Sequence, residues 1–190
     1  MSDKPIGAGK SSFELIDFPA LLAELPMADD TCLLDLACGA GAYSLALAER
    51  LGKEAEIFAY DLWAEGIERL NREIEARQIK QIQAGLADVT QSIPLEDGCV
   101  DVCLMATVLH DFVAIKAEQG VLGELARVVK PGGTLAVVEF KVLDGPPGPP
   151  REVRISAETV AKLVCSHGFR LAGMKELGPY NYLSLFQRNK

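Results

Sequence analysis

The sequence predicts an α/β fold, a mostly parallel sheet with helices on both faces. Three observations predict it. An apolar run, Leu33–Leu36, passes through Gly39 and Gly41 and re-emerges at helical spacing from about Tyr43 to Leu51. A second apolar run, Ala55–Tyr60, ends in Asp61, and Trp63, Ile67, Leu70 and Ile74 then fall on one helix face. Apolar runs and helix-spaced segments go on alternating to the end of the chain.

The first unit carries most of the functional information. Two glycines let the backbone take conformations closed to other residues and let a ligand approach without meeting a Cβ. The helix from about Tyr43 points its free N–H groups back at this turn, a place for the polar end of a ligand. Asp35 stands inside the apolar run, where an unpaired carboxylate is costly. Asp61 ends the second strand, where dinucleotide folds hold a ribose diol. Their fingerprint wants a third glycine where this chain has Ser44, which counts against a pyrophosphate ligand. Taken alone, Gly-x-Gly is also an ordinary strand-to-helix turn. Gly9-Lys10-Ser11 looks like the end of a phosphate-binding loop, but Lys4 stands where that loop needs glycine and no strand precedes it.

Asp35-Leu36-Ala37-Cys38-Gly39-Ala40-Gly41, followed by Asp61 and Asp88, resembles the S-adenosylmethionine-dependent methyltransferases of the Rossmann-like class. Ala37 stands where that family often has glycine. The resemblance covers roughly residues 30 to 140 well and the rest more loosely. It implies a seven-stranded sheet whose last strand is antiparallel. It also implies S-adenosyl-L-methionine as cofactor, S-adenosyl-L-homocysteine as product, and a small-molecule acceptor methylated by in-line displacement, a reaction that needs mainly alignment. On the matching positions, Asp35, Ala37, Gly39, Gly41 and Tyr43 should surround the methionine portion. Asp61 should bind the ribose, Leu62 and Trp63 the adenine ring, and Asp88 with Val89 the adenine amine. Ala106 and Thr107 should lie along the methionine side. Trp63 is equally a core anchor of its helix, and Asp88 a turn residue. The Lys-Pro-Gly-Gly segment (130–133) with Val-Val-Glu-Phe (137–140) also looks like quinone-type C-methyltransferases.

The remaining elements follow in order. Residues 1–12 are polar and read as a flexible arm, and 13–25 as a helix across the active site or against the sheet edge. A third strand spans about Gln81–Ala87 and a fourth Val100–Ala106. The fourth leaves through a loop, Thr107–Phe112, which in an open α/β sheet faces the substrate. His110 there is the general-base candidate, because imidazole titrates near neutral pH, and Asp111 is placed to orient it or bind substrate. A structural role for His110 is the competing reading. A helix over Ala114–Val129 stops at Lys130-Pro131-Gly132-Gly133, and Thr134–Phe140 is the fifth strand, with Glu139 and Lys141 as secondary candidates at its end. Gly145–Pro150 is a stiff loop. Ser156 caps a last helix, with Val160, Leu163 and Val164 as its buried face. Two strands, Phe169–Leu177 and Tyr182–Arg188, close the sheet. The resemblance implies that the turn between them can reach the substrate, which makes Tyr180 a candidate, with ordinary aromatic packing as the competing reading.

Composition narrows the class. With 190 residues, 49% hydrophobic and 24% charged, the chain should form one globular domain, 1–190. A net charge of -8 argues against nucleic acid as a partner. No apolar stretch spans a membrane, so cytoplasm is the expected location, as monomer or homodimer. Five cysteines with no C-x-x-C pair read as buried reduced thiols, with thiol binding of a soft substrate as the alternative, and no metal site is expected. Two other classes stay open. A nicotinamide-dependent oxidoreductase shares the strand, turn and Asp61, and a non-catalytic S-adenosylmethionine-binding protein keeps Asp61 and Asp88.

Overall fold

Side-chain alternation decides how the sheet is filled. In the computed structural model, which describes residues 7–190, β1 (Cys32–Leu36) sends Leu33 to one face and Leu34 and Leu36 to the other. β4 (Val100–Ala106) and β5 (Val129–Phe140) divide in the same way, Leu104 and Ala136 against Cys103 and Leu135. Strands apolar on both faces need cover on both. Helices α1 (Phe18–Glu24), α2 (Ala42–Ala48) and α3 (Ala64–Arg77) cover the first face with Leu21, Leu47 and Leu70. Helices α4 (Leu109–Ala114), α5 (Glu118–Val128) and α6 (Ala157–Cys165) cover the second with Phe112, Leu125 and Val164. Each such buried side chain stabilises the fold by about 1.5–3 kcal/mol.

With β2 (Glu56–Asp61), β3 (Ile82–Leu86), β6 (Phe169–Leu177) and β7 (Asn181–Arg188), the strands run in the order β3-β2-β1-β4-β5-β7-β6. β1 to β5 are mutually parallel and β7 runs against both its neighbours. The seven-stranded sheet with a reversed last strand is thus as expected. Chain order reverses between β1 and β4, so a crevice opens beyond their carboxyl ends.

Several boundaries differ from expectation. The segment 13–25 is two pieces, a 3-10 turn (Phe13–Leu15) and α1. Asp17 caps α1 by accepting the Ala20 N–H at 3.0 Å, and Pro19 falls in its first turn, where a missing N–H costs nothing. Proline therefore starts this helix rather than interrupting it. The exit from β4 is not a loop, because Leu109–Ala114 forms α4, and left-handed Lys116 (φ 59°) separates it from α5. β5 begins at Val129 rather than Thr134, its register on β4 slipping across Pro131–Gly133. Residues 1–6 of the expected arm lie outside the described residues, while Ser12 is buried. Of the cysteines only Cys103 is buried, and Cys165 is exposed, contrary to the buried reading.

Candidate active site

The turn after β1 is built by three left-handed residues, Ala37 (φ 57°), Gly39 (φ 60°) and Gly41 (φ 75°). A Cβ on Gly41 would come within 2.4 Å of Leu70, so α3 can pack there only over glycine. A Cβ on Gly39 would meet nothing within 4 Å, so that edge of the turn faces open space. Ala37 keeps its side chain in the same conformation at a cost of about 1–2 kcal/mol. α2 is short, seven residues, so the turn rather than a long helix dipole shapes this end of the crevice.

Asp61 holds the turn. Its Oδ2 accepts the Gly39 N–H and its Oδ1 the Trp63 N–H, both at 2.7 Å, and each oxygen keeps a second lone pair for a ligand. Asp35 is buried and accepts the Ser44 hydroxyl at 2.5 Å. The serine that replaces the third glycine therefore supplies that carboxylate's donor. Burial pushes the Asp35 carboxyl up to about 6, against the Ser44 hydrogen bond and with help from the Asp61 charge. Tyr43 stands at the start of α2, and its hydroxyl meets Ser12 Oγ at 2.8 Å. Thr107, left-handed at the end of β4, donates to the same Ser12 oxygen at 3.0 Å. Ser12 thus ties the start of α2 to the end of β4 beside Ala106, and Phe13 packs edge-on against Tyr43.

Leu62 is 52% exposed next to Asp61, whereas Trp63 is buried at the start of α3 under Gly66. The indole lies buried against the first turn of α3, and Leu62 is the apolar group left exposed. Asp88 Oδ1 accepts both the Thr90 N–H (3.0 Å) and its hydroxyl (2.6 Å), closing a turn, while Val89 belongs to the core.

A second cluster stands at the ends of β4 and β5. His110, buried in the first turn of α4, places Nδ1 2.8 Å from Glu139 Oε2. Glu139 is fully buried and also accepts the backbone N–H groups of His110 (3.1 Å) and Phe140 (3.2 Å). A carboxylate with three N–H donors acts as acceptor, so in the neutral imidazole the proton sits on Nδ1 and Nε2 carries the lone pair. Burial opposes charge on His110, but the Glu139 hydrogen bond and the charges of Glu139 and Asp111 outweigh it, and its pKa stands above the usual value. Asp111, 3.6 Å from Nε2, has its own pKa raised by burial. Tyr180 lies at the same edge, its carbonyl accepting the Lys141 N–H at 2.8 Å. Tyr182 pairs with Glu139 in the sheet, but its hydroxyl turns into the core and donates to Ile155 O at 2.8 Å.

The structure therefore brings together Asp35, Ala37, Gly39, Gly41, Tyr43, Asp61, Ala106 and Thr107 on one side, and His110 and Asp111 on the other. It promotes Glu139 from a secondary candidate to the partner of His110. It also adds Ser12, for which the polar arm gave no signal.

A glycine turn held by the acid of the next strand, at the carboxyl edge of such a sheet, defines an α/β protein with a nucleotide-type cofactor site. A family model described as a methyltransferase domain matches residues 28–186, and the chain belongs to that family. It is 32% identical over 115 residues to 2-phytyl-1,4-naphtoquinone methyltransferase of Trichormus variabilis, across 58% of this chain and 47% of that protein. It is 30% identical over 106 residues to demethylmenaquinone methyltransferase of Bacillus cereus, across 56% of this chain and 43% of that protein. The matched part thus spans under half the length of these curated relatives. A SAM dependent methyltransferase from Aquifex aeolicus superposes with a TM-score of 0.83 at 27% identity, covering 93% of this chain and 92% of that one.

Proposed function

We propose that the chain, as one unit over residues 1–190, transfers a methyl group from S-adenosylmethionine to a small-molecule acceptor of the reduced-quinone type. The observation that carries this reading is the pairing, at one edge of the sheet, of the open Gly39 cradle with the His110–Glu139 couple. The cradle fits the cofactor, since the space beside Gly39 is open and the Asp61 carboxylate stands at its rim. When bound, S-adenosylmethionine supplies a methyl group on a positively charged sulfur. Asp61 would take the ribose hydroxyls, Leu62 would cover the ring, Asp88 and Val89 would flank the base, and Asp35, Ala37, Gly41, Tyr43, Ala106 and Thr107 would surround the amino-acid end.

Glu139 holds the His110 proton on Nδ1, which frees Nε2 to take a proton from the acceptor. A hydroquinone hydroxyl that loses its proton makes the ring carbons beside it nucleophilic, and removing that proton is a task for His110. The names of the relatives support this acceptor class. Tyr180 and Asp111 would line the acceptor side. The net charge of -8 speaks against a nucleic-acid partner. Among the described residues no helix is long and apolar enough to cross a membrane.

Calorimetric titration with S-adenosylmethionine, S-adenosylhomocysteine and NADH tests the cofactor. Micromolar binding of the adenosyl ligands without NADH is expected, and NADH binding alone would overturn the proposal. Methyl transfer to a reduced naphthoquinone, followed by mass, then tests the acceptor.

A further inference from the structure

Just beyond Phe140 the chain runs through Gly145-Pro146-Pro147-Gly148-Pro149-Pro150, a stretch short of N–H donors that has no helix or strand. One guanidinium holds it. Arg154, 6% exposed, donates Nε–H to Pro149 O (2.9 Å), Nη1 to Lys141 O (3.1 Å), and Nη2 to Gly145 O (2.6 Å) and Pro147 O (2.7 Å). Four carbonyl dipoles face the buried guanidinium and offset the cost of burying its charge. Arg154 Cζ lies 5.6 Å from the centroid of the Phe140 ring. The Gly148 backbone rests so close on the same ring that a Cβ there would come within 2.7 Å. Phe140 in turn meets the His110 ring edge-on, centroids 6.2 Å apart at 72°.

The geometry points to Arg154 as a positioning residue for His110: its fork gathers four carbonyls, presses the proline loop onto Phe140, and through Phe140 keeps the imidazole fixed on Glu139 and shielded from water. Prolines cannot supply these donors, and lysine has three where the arginine fork has five. The inference rests on the reading of His110 as the acceptor-side base.

The test needs no acceptor. The Nδ1–H proton of a histidine held by a carboxylate gives a far-downfield NMR signal when water is kept out. In the wild-type protein that signal should be present and slow to exchange. Arg154→Met should speed its exchange by about tenfold or more, as expected of a locally opened site. Arg154→Lys keeps the charge but not the fork and should also speed it. Should R154M not fold, Gly148→Ala crowds Phe140 while leaving Arg154 intact, and the same signal should move. Loop amides that loosen while the ring proton stays protected would overturn the inference, as would a lysine variant indistinguishable from wild type. S-adenosylmethionine affinity, measured on the same samples, should be unchanged in all variants. A wild type that binds none would indict the methyl-transfer reading instead.

Discussion

Asp35→Asn should make the protein more stable and a poorer binder of its cofactor. The carboxyl is 1% exposed and accepts the Ser44 hydroxyl at 2.5 Å. Burial lifts its pKa from 3.8 to about 6. At about 1.36 kcal/mol per pH unit, that gap corresponds to about 3 kcal/mol by which the native state resists ionising this group. The folded chain binds the proton more tightly than the unfolded one. Stability from this group is therefore complete below about pH 4 and declines as pH rises through about 6. Asparagine keeps an oxygen for Ser44 and carries no charge. It should gain about 1–3 kcal/mol at pH 8, less than the full gap because its new NH₂ group needs a partner. Urea unfolding of both proteins from pH 4 to 8 measures this, and the pH slope between 4 and 6 should flatten in D35N. Calorimetry should show cofactor affinity down about tenfold or more, since the proposed site then lacks the buried anion assigned to the cofactor's amino-acid end. A D35N protein that is less stable at pH 8, or that keeps the wild-type slope, would refute the reasoning, because the carboxylate would then be compensated where it stands.

Three further substitutions probe the other parts. His110→Gln should leave cofactor affinity within about twofold and lower kcat by about 10²–10⁴. Because the His110 pKa is raised, wild-type turnover should climb with pH through a value above 6.5, and Glu139→Gln should move that limb downward while lowering the plateau, as a kcat–pH profile will show. Asp61→Ala removes the acceptor for Gly39 and Trp63 and should weaken S-adenosylmethionine binding by about ten- to a hundredfold in calorimetry. Arg127→Met cuts the ties from α5 to Ile93 O and Leu95 O and should cost about 1–3 kcal/mol in urea unfolding. The hydrogen bond from Arg127, helped by the Ile93 N–H and the Ser92 hydroxyl, holds the Glu124 carboxyl down at about 2 instead of 4.5, so wild type loses this stabilisation as pH falls from about 4.5 toward 2, and R127M should show a smaller loss.

The strands and the glycine turn were legible in the sequence because they obey local rules. β1 and β4 are buried on both faces and therefore read as continuous apolar runs, and the turn needs glycine at Gly41 because Leu70 occupies the space a Cβ would take. What escaped local reading depends on partners far along the chain. Ser12 lies 95 residues from Thr107, and nothing in a polar arm announces that its hydroxyl will tie the start of α2 to the end of β4. Glu139 carried the same signal as Asp35, an acid inside an apolar run, but its meaning rests on β5 lying beside β4, which brings His110 to it across 29 residues. The short helix α4 was hidden because the left-handed residues on either side of it, Thr107 and Lys116, are neither glycine nor asparagine. Leu62 and Trp63 both follow Asp61, and only the fold shows that the indole lies buried against Gly66 while Leu62 stays exposed.

One carboxylate, that of Glu139, holds both the backbone N–H and the ring N–H of His110. The first turn of α4 and the imidazole are therefore anchored to a single point, and the helix cannot slide without changing the proton affinity of Nε2. An acceptor too bulky for the mouth would push α4 aside and blunt the base in the same movement. Selection among acceptors would then register in the speed of the chemical step more than in the strength of binding, so that a misfit could be held firmly and still go unmethylated.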